Sequence, residues 1–169
     1  SYLRHADGKP KPFEEINDLV NNARSMDIDV QPPSIINMNS NFCLVNKLPT
    51  FGLVNVKSVG MSVFKQIDAV VKQNSYDVSM MGWDKFLMKV GRYIKSNSFD
   101  SMIRAGVFDC YKKQRNKMLY DFNIYKELKD FDKDYLTKTN CETFVEALED
   151  LIPYIRKTKR ATVHTERHI

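Results

Sequence analysis

The stretch Phe51-Gly-Leu-Val-Asn-Val-Lys-Ser-Val-Gly-Met-Ser-Val-Phe-Lys-Gln-Ile67 decides how this chain reads. Leu53 and Val56 are spaced for one face of a short helix, and Val63, Phe64 and Ile67 give an apolar face to a second. Lys57-Ser58-Val59-Gly60 lies between them, followed by small, polar Ser62. Gly60 has no side chain. It is expected to take a positive φ and to let N–H groups at the start of the second helix approach an anion. Read alone, the pattern fits two things: a plain corner between helices with Gly60 as C-cap, or a grip on phosphate.

Short helix, tight turn and second helix make the layout of a helix-hairpin-helix, which holds the nucleic-acid backbone without reading bases. The usual hairpin reads Gly-hydrophobic-Gly, with a small residue four positions after the second glycine. Here Ser58 stands at the first glycine and Phe64 at the small position. Phe64 implies that the two helices stand further apart than usual.

Flanking motifs add weight. Upstream lie Ala23-Arg-Ser-Met-Asp-Ile-Asp-Val-Gln-Pro-Pro-Ser34 and Met38-Asn-Ser-Asn-Phe42. Downstream lie Trp83-Asp-Lys-Phe-Leu87 and Ser98-Phe-Asp-Ser-Met-Ile-Arg-Ala-Gly-Val-Phe-Asp109. In this order and spacing the chain resembles the bacterial C-family replicative DNA polymerase, the alpha subunit of the polymerase III holoenzyme. The resemblance covers roughly residues 13–120, from the end of the fingers through the helix-hairpin-helix part of the clamp-binding domain. It implies that backbone N–H groups over Ser58, Val59, Gly60, Met61 and Ser62 bind phosphate of double-stranded DNA, with Lys57 and Lys65 assisting. It also implies nucleotidyl transfer with two Mg²⁺ ions in the parent enzyme. The palm carboxylates of that family have no counterpart here, so this segment is expected to hold no cofactor and not to polymerise alone. The sliding clamp or another replication protein is a further implied partner, although no Gln-x-x-hydrophobic-x-aromatic-aromatic clamp peptide occurs. Two other classes stay open: a free-standing helix-hairpin-helix repair or recombination factor, and a helical adaptor for a replication protein.

Charge distribution agrees with a phosphate-facing middle. The net charge is +5 over 169 residues. Residues 82–129 hold 11 basic and 5 acidic side chains, against 2 and 7 in 130–155. Solvated helix faces explain any single lysine equally well. No apolar run approaches the ~20 residues of a membrane span, and no secretory pattern opens the chain, so a cytoplasmic location is expected. Ser1 in place of Met suits an excised piece of a longer protein or a trimmed tag. Cys43, Cys110 and Cys141 are widely spaced, and His5, His164 and His168 show no ligand spacing, so no zinc site or disulfide framework is expected. Asp27-x-Asp29 has polymerase-like carboxylate spacing, but no third carboxylate motif accompanies it; Asp132-x-Asp134 is weaker still.

The expected fold is mainly α, a helix-hairpin-helix-containing helical domain with one small β-hairpin. Three stretches are expected: 1–50 (linker, amphipathic helix over 12–25, start of the β-hairpin), 51–129 (helical domain) and 130–169 (charged linker, C-terminal helix, basic tail). The β-hairpin is placed at 41–53 around Asn46-Lys-Leu-Pro49. The hairpin helix is expected to run to Asn74, and another over 82–90 carries Trp83, Phe86, Leu87 and Val90 on one face. Asn97 or Ser98 is expected to cap the next helix and Gly106 to close it as a C′ glycine. Asp109 is expected to cap a helix running to residue 129, whose first turns carry Lys112, Lys113, Arg115 and Lys117. Asp130–Lys138 reads as a charged connector, and Thr139-Asn-Cys-Glu142 as the capping box of a last helix that Pro153 kinks or ends. Arg156–Arg160 begins a basic tail.

Overall fold

Asn46 (φ 52°) and Lys47 (φ 67°) turn the chain back on itself in two residues. They join β1 (Cys43–Val45) to β2 (Leu48–Thr50), which pair antiparallel in the register Cys43↔Thr50, Leu44↔Pro49, Val45↔Leu48. Two successive positive φ values match the right-handed twist of paired strands. Leu48 and Pro49 therefore belong to the strand and not to the turn. Gln31 adds a single parallel bridge beside Thr50. The computed structural model describes Asn21 and residues 29–152. The helix over 12–25 (apart from Asn21, which is helical), Asp27, Pro153 and the basic tail lie outside the described residues.

After the β-hairpin come a 3-10 turn (Leu53–Asn55), α1 (Met61–Gln73), α2 (Val78–Val90), α3 (Ser96–Arg104), α4 (Arg115–Lys126) and α5 (Asp130–Lys138). Residues 144–152 are helical as well. The helical run of α2 is interrupted at Gly82 (φ 78°, ψ 172°), so Trp83 opens its main part, close to the expected 82–90. Gly106 (φ 87°) ends α3 as its C′ residue. Gly106 N–H bonds to Ile103 O at 3.1 Å and Val107 N–H to Met102 O at 3.0 Å, the pair of bonds that satisfies the last carbonyls of a helix.

Three expectations are corrected. Asp109 opens a 3-10 turn (Asp109–Tyr111), and left-handed Lys112 separates it from α4, so one helix does not run from 109 to 129. Asp109 instead accepts two hydrogen bonds from Arg115, Nε at 3.1 Å and Nη2 at 2.7 Å, while Arg115 Nη1 donates to Arg104 O. That fork ties the end of α3 to the start of α4 and places an acid where the α4 dipole favours one. Residues 130–138 form a helix, not a connector. Asp130 and Asp132 suit its N-terminal end, and Lys89 Nζ donates to Thr137 O (2.7 Å) and Thr139 O at the other. Burial and the neighbouring Lys85 lower the Lys89 pKa. The last helix is capped at Thr143, four residues after the expected Thr139. Thr143 Oγ1 accepts Glu146 N–H (3.2 Å) and Asp84 Oδ1 accepts Phe144 N–H (3.1 Å).

The core is aromatic. Trp83 contacts Phe99 (5.8 Å between ring centroids) and Phe108 (5.6 Å), and Phe99 stacks on Phe122 at 4.6 Å. Buried residues continue from Ile35 to Ala147, so the packing crosses both residue 50 and residue 129. Trp83 is the core anchor its helical spacing implied. Its Nε1–H donates to Asp121 Oδ2 (3.0 Å), and Lys117 Nζ donates to the other oxygen (2.7 Å). Asp121 is 3% exposed, so both donors are needed to offset the cost of burying the carboxylate. This bond also raises the Lys117 pKa. Asp121→Ala leaves the indole N–H unpaired in the core and should cost about 1–3 kcal/mol. Urea unfolding followed by Trp83 fluorescence checks this; an unchanged midpoint contradicts it.

Candidate nucleic-acid interface

The hairpin is built from one tight crossing and one hydroxyl bond. Segment 39–41 lies across the 3-10 turn, with Leu53 N–H on Asn39 O and Val54 N–H on Ser40 O, both at 3.0 Å. A Cβ on Gly52 would collide with the Ser40 carbonyl, which is why glycine follows Phe51. Gly52 N–H in turn donates to Asn55 Oδ1 (2.7 Å). The first helix expected from Leu53 and Val56 is thus only this 3-10 turn, with Leu53, Val56 and Val59 fully buried.

Ser58, not Gly60, carries the positive φ, at 67°. Gly60 is extended (φ −92°, ψ 179°) and is the N-cap of α1, so its expected left-handed conformation is corrected. The Ser98 hydroxyl, on a fully buried side chain in the first turn of α3, donates to Ser58 O at 2.6 Å. Ser98 therefore braces the hairpin and does not cap α3, whose N-cap is Lys95; Asn97 Oδ1 accepts Ser98 N–H at 3.0 Å. Phe64 sits half-buried against the core, one turn into α1.

The seven residues singled out from sequence divide by role. Val59 points into the core and offers only its backbone. Gly60 has no atom within 4 Å of where a Cβ would stand, so its surroundings are open. No side chain caps α1, and the amides of Met61, Ser62 and Val63 precede the first intrahelical bond, Phe64 N–H to Gly60 O (3.1 Å). Lys57, Met61, Ser62 and Lys65 are exposed, and Met61 and Lys65 share a face at i, i+4. N–H groups, a hydroxyl and ammonium groups around an uncapped helix start form a donor set for an anion. Among the described residues, no three His, Cys, Asp or Glu side chains converge as a metal site would need. Asp29 is exposed, and Asp134 pairs with Arg92 (3.0 Å) and Lys138 (2.9 Å), which lower its pKa.

The basic surplus of 82–129 is partly absorbed by the fold. Lys85, Arg92, Arg104, Arg115 and Lys117 are ion-paired, and Lys89 holds the end of α5. Lys95, Lys112, Lys113, Lys126 and Lys129 have no ion pair among the described residues.

Residues 27–118 match the helix-hairpin-helix motif family. The chain belongs to the helix-hairpin-helix family. It is similar to a segment of the DNA polymerase III subunit alpha, at 27% identity over 112 residues in Chlamydia trachomatis (66% of this chain, 9% of the relative). The Chlamydia pneumoniae subunit is 25% identical over 63% of the chain, and that of Deinococcus radiodurans 25% over 58%. The chain spans less than a tenth of these relatives' length, 8% and 7% in the last two. The resemblance stated from sequence therefore holds for a segment, and the mainly helical fold with its two-stranded hairpin agrees with it.

Ser58 stands in the left-handed region that favours glycine. Ser58→Gly should yield a net gain of roughly 0.5–1 kcal/mol, strain relief less the entropy that glycine adds to the unfolded chain. Ser98→Ala should cost about 1–3 kcal/mol, because it strips a part-buried carbonyl of its donor. Denaturant midpoints of the two variants decide this; a destabilised Ser58→Gly would contradict the strained turn.

Proposed function

We propose that this chain is a duplex-DNA-holding segment of a replicative polymerase alpha-like subunit, and that it contacts one strand's phosphate backbone through the hairpin. The observation that carries the reading is the open start of α1: three amides without a side-chain cap, beside an extended Gly60 with empty space in front of it. A phosphate set there accepts hydrogen bonds from these N–H groups and sits at the positive end of the helix dipole, about half an elementary charge. Lys57 and Lys65 flank it and add sequence-independent attraction. Contacts to phosphate carry no base information, so this contact positions duplex without reading it. The likeness to polymerase III alpha subunits supplies the context: template-directed synthesis takes place elsewhere in the parent enzyme, with Mg²⁺, and this segment steadies its product. No described helix is long and apolar enough to cross a membrane.

Duplex affinity should fall steeply with salt and vary little with sequence, and Lys57→Met and Lys65→Met should each lower the log–log salt slope by about 0.9. Gly60→Val tests the hairpin itself. An extended backbone accepts valine, but valine is a poor N-cap, so the melting temperature should fall by a few degrees with the fold kept, while the side chain fills the phosphate's approach. Binding should weaken about tenfold or more, the loss of one charge-assisted hydrogen bond. A folded Gly60→Val protein that binds duplex as well as the parent overturns the reading.

A further inference from the structure

Beside the hairpin lies a surface cavity of about 350 Å³ whose walls come from three elements. Lys57 and Ser58 close one side, Ser96, Asn97 and Ser101 of α3 a second, and Phe122 and Lys126 of α4 the third. Asp100 also lines it, but its carboxylate is engaged by Arg104 Nε at 2.8 Å. Two ammonium groups thus face the space without an ion pair among the described residues. The start of α3 opens beside them, with no side-chain cap on Lys95. Ser101 is the decisive residue. It is 5% exposed and lines the cavity, yet its hydroxyl has no hydrogen-bond partner among the described residues. Its oxygen is open to the cavity, so the hydroxyl can donate to a ligand oxygen there.

We infer that this cavity takes a phosphate monoester, either the terminal phosphate of a DNA strand or that of a free nucleotide. A monoester carries about −1.5 to −2 charge at pH 7 and three acceptor oxygens, which matches two lysines and the hydroxyl donors better than the single charge of a phosphodiester. A concavity with walls from three elements also admits a chain end more readily than the middle of a continuous strand. The strand-end form rests on the duplex-binding reading above; the free-nucleotide form does not.

The test titrates the full chain with one labelled duplex bearing 5′-phosphate or 5′-hydroxyl, with its 3′-phosphate counterpart, and with thymidine monophosphate as competitor. A terminal phosphate on either strand end should tighten binding by about tenfold. Lys126→Met should abolish that preference and Ser101→Ala should reduce it severalfold, and both should bind the hydroxyl-ended duplex like the parent. Gly60→Val should weaken phosphate- and hydroxyl-ended duplexes alike. If no duplex binds but thymidine monophosphate does, and Lys126→Met abolishes it, the hairpin reading fails and the cavity stands with the nucleotide as its ligand. Equal affinity for both duplex ends with no binding of thymidine monophosphate overturns the inference. So does a phosphate preference that survives both substitutions, since the phosphate would then sit elsewhere.

Discussion

The Ser98 hydroxyl bonded to the Ser58 carbonyl joins the surface of this protein to its interior. Ser58 is held in a conformation that L side chains rarely adopt. Strain of this kind, about 1–3 kcal/mol, persists only where the surroundings over-determine it. Here they do so from both sides. Val56 and Val59 anchor the turn in the core, and Ser98 comes from the same turn of α3 that puts Phe99 among Trp83, Phe108 and Phe122. The turn in turn aims the start of α1 outward. A floppy turn would lose entropy on meeting an anion; a braced one has lost it already.

Two glycines in the hairpin serve different needs. Gly52 is required by a backbone that crosses too closely for any Cβ, while Gly60 keeps open the space before the helix start. The residue with left-handed backbone is a serine, at the position where the related hairpin pattern has glycine. The protein tolerates it because the bond that matters there uses the carbonyl, which every residue has.

Much of this was legible in the sequence. Turn residues in Asn46-Lys-Leu-Pro49 announce the β-hairpin, though two of the four belong to its second strand, i, i+3, i+4 spacing announces Trp83, Phe86 and Leu87 as core, and Gly106 announces a helix end. What stayed hidden depends on partners distant along the chain. The helix over 130–138 buries a single residue fully, Leu136, and is held by Lys89 and Arg92 from more than forty residues away, so its own charges read as a linker. Ile35 is fully buried although it follows a proline-rich connector, because its N–H pairs with Val107 O. The candidate site residues were chosen by pattern, and a glycine needed for space looks the same in sequence as one needed for positive φ. Ser98 and Ser101 showed only as polar residues near a helix start, since nothing local separates a cap from a brace or a cavity wall.

The most direct measurement is an amide chemical-shift titration of the isotope-labelled chain with a short duplex. The account predicts that the largest perturbations fall on the N–H groups of Gly60, Met61, Ser62 and Val63 and shrink together as salt is raised. Perturbations confined to the surface around Lys112 and Lys113, with the α1 amides unmoved, would contradict it.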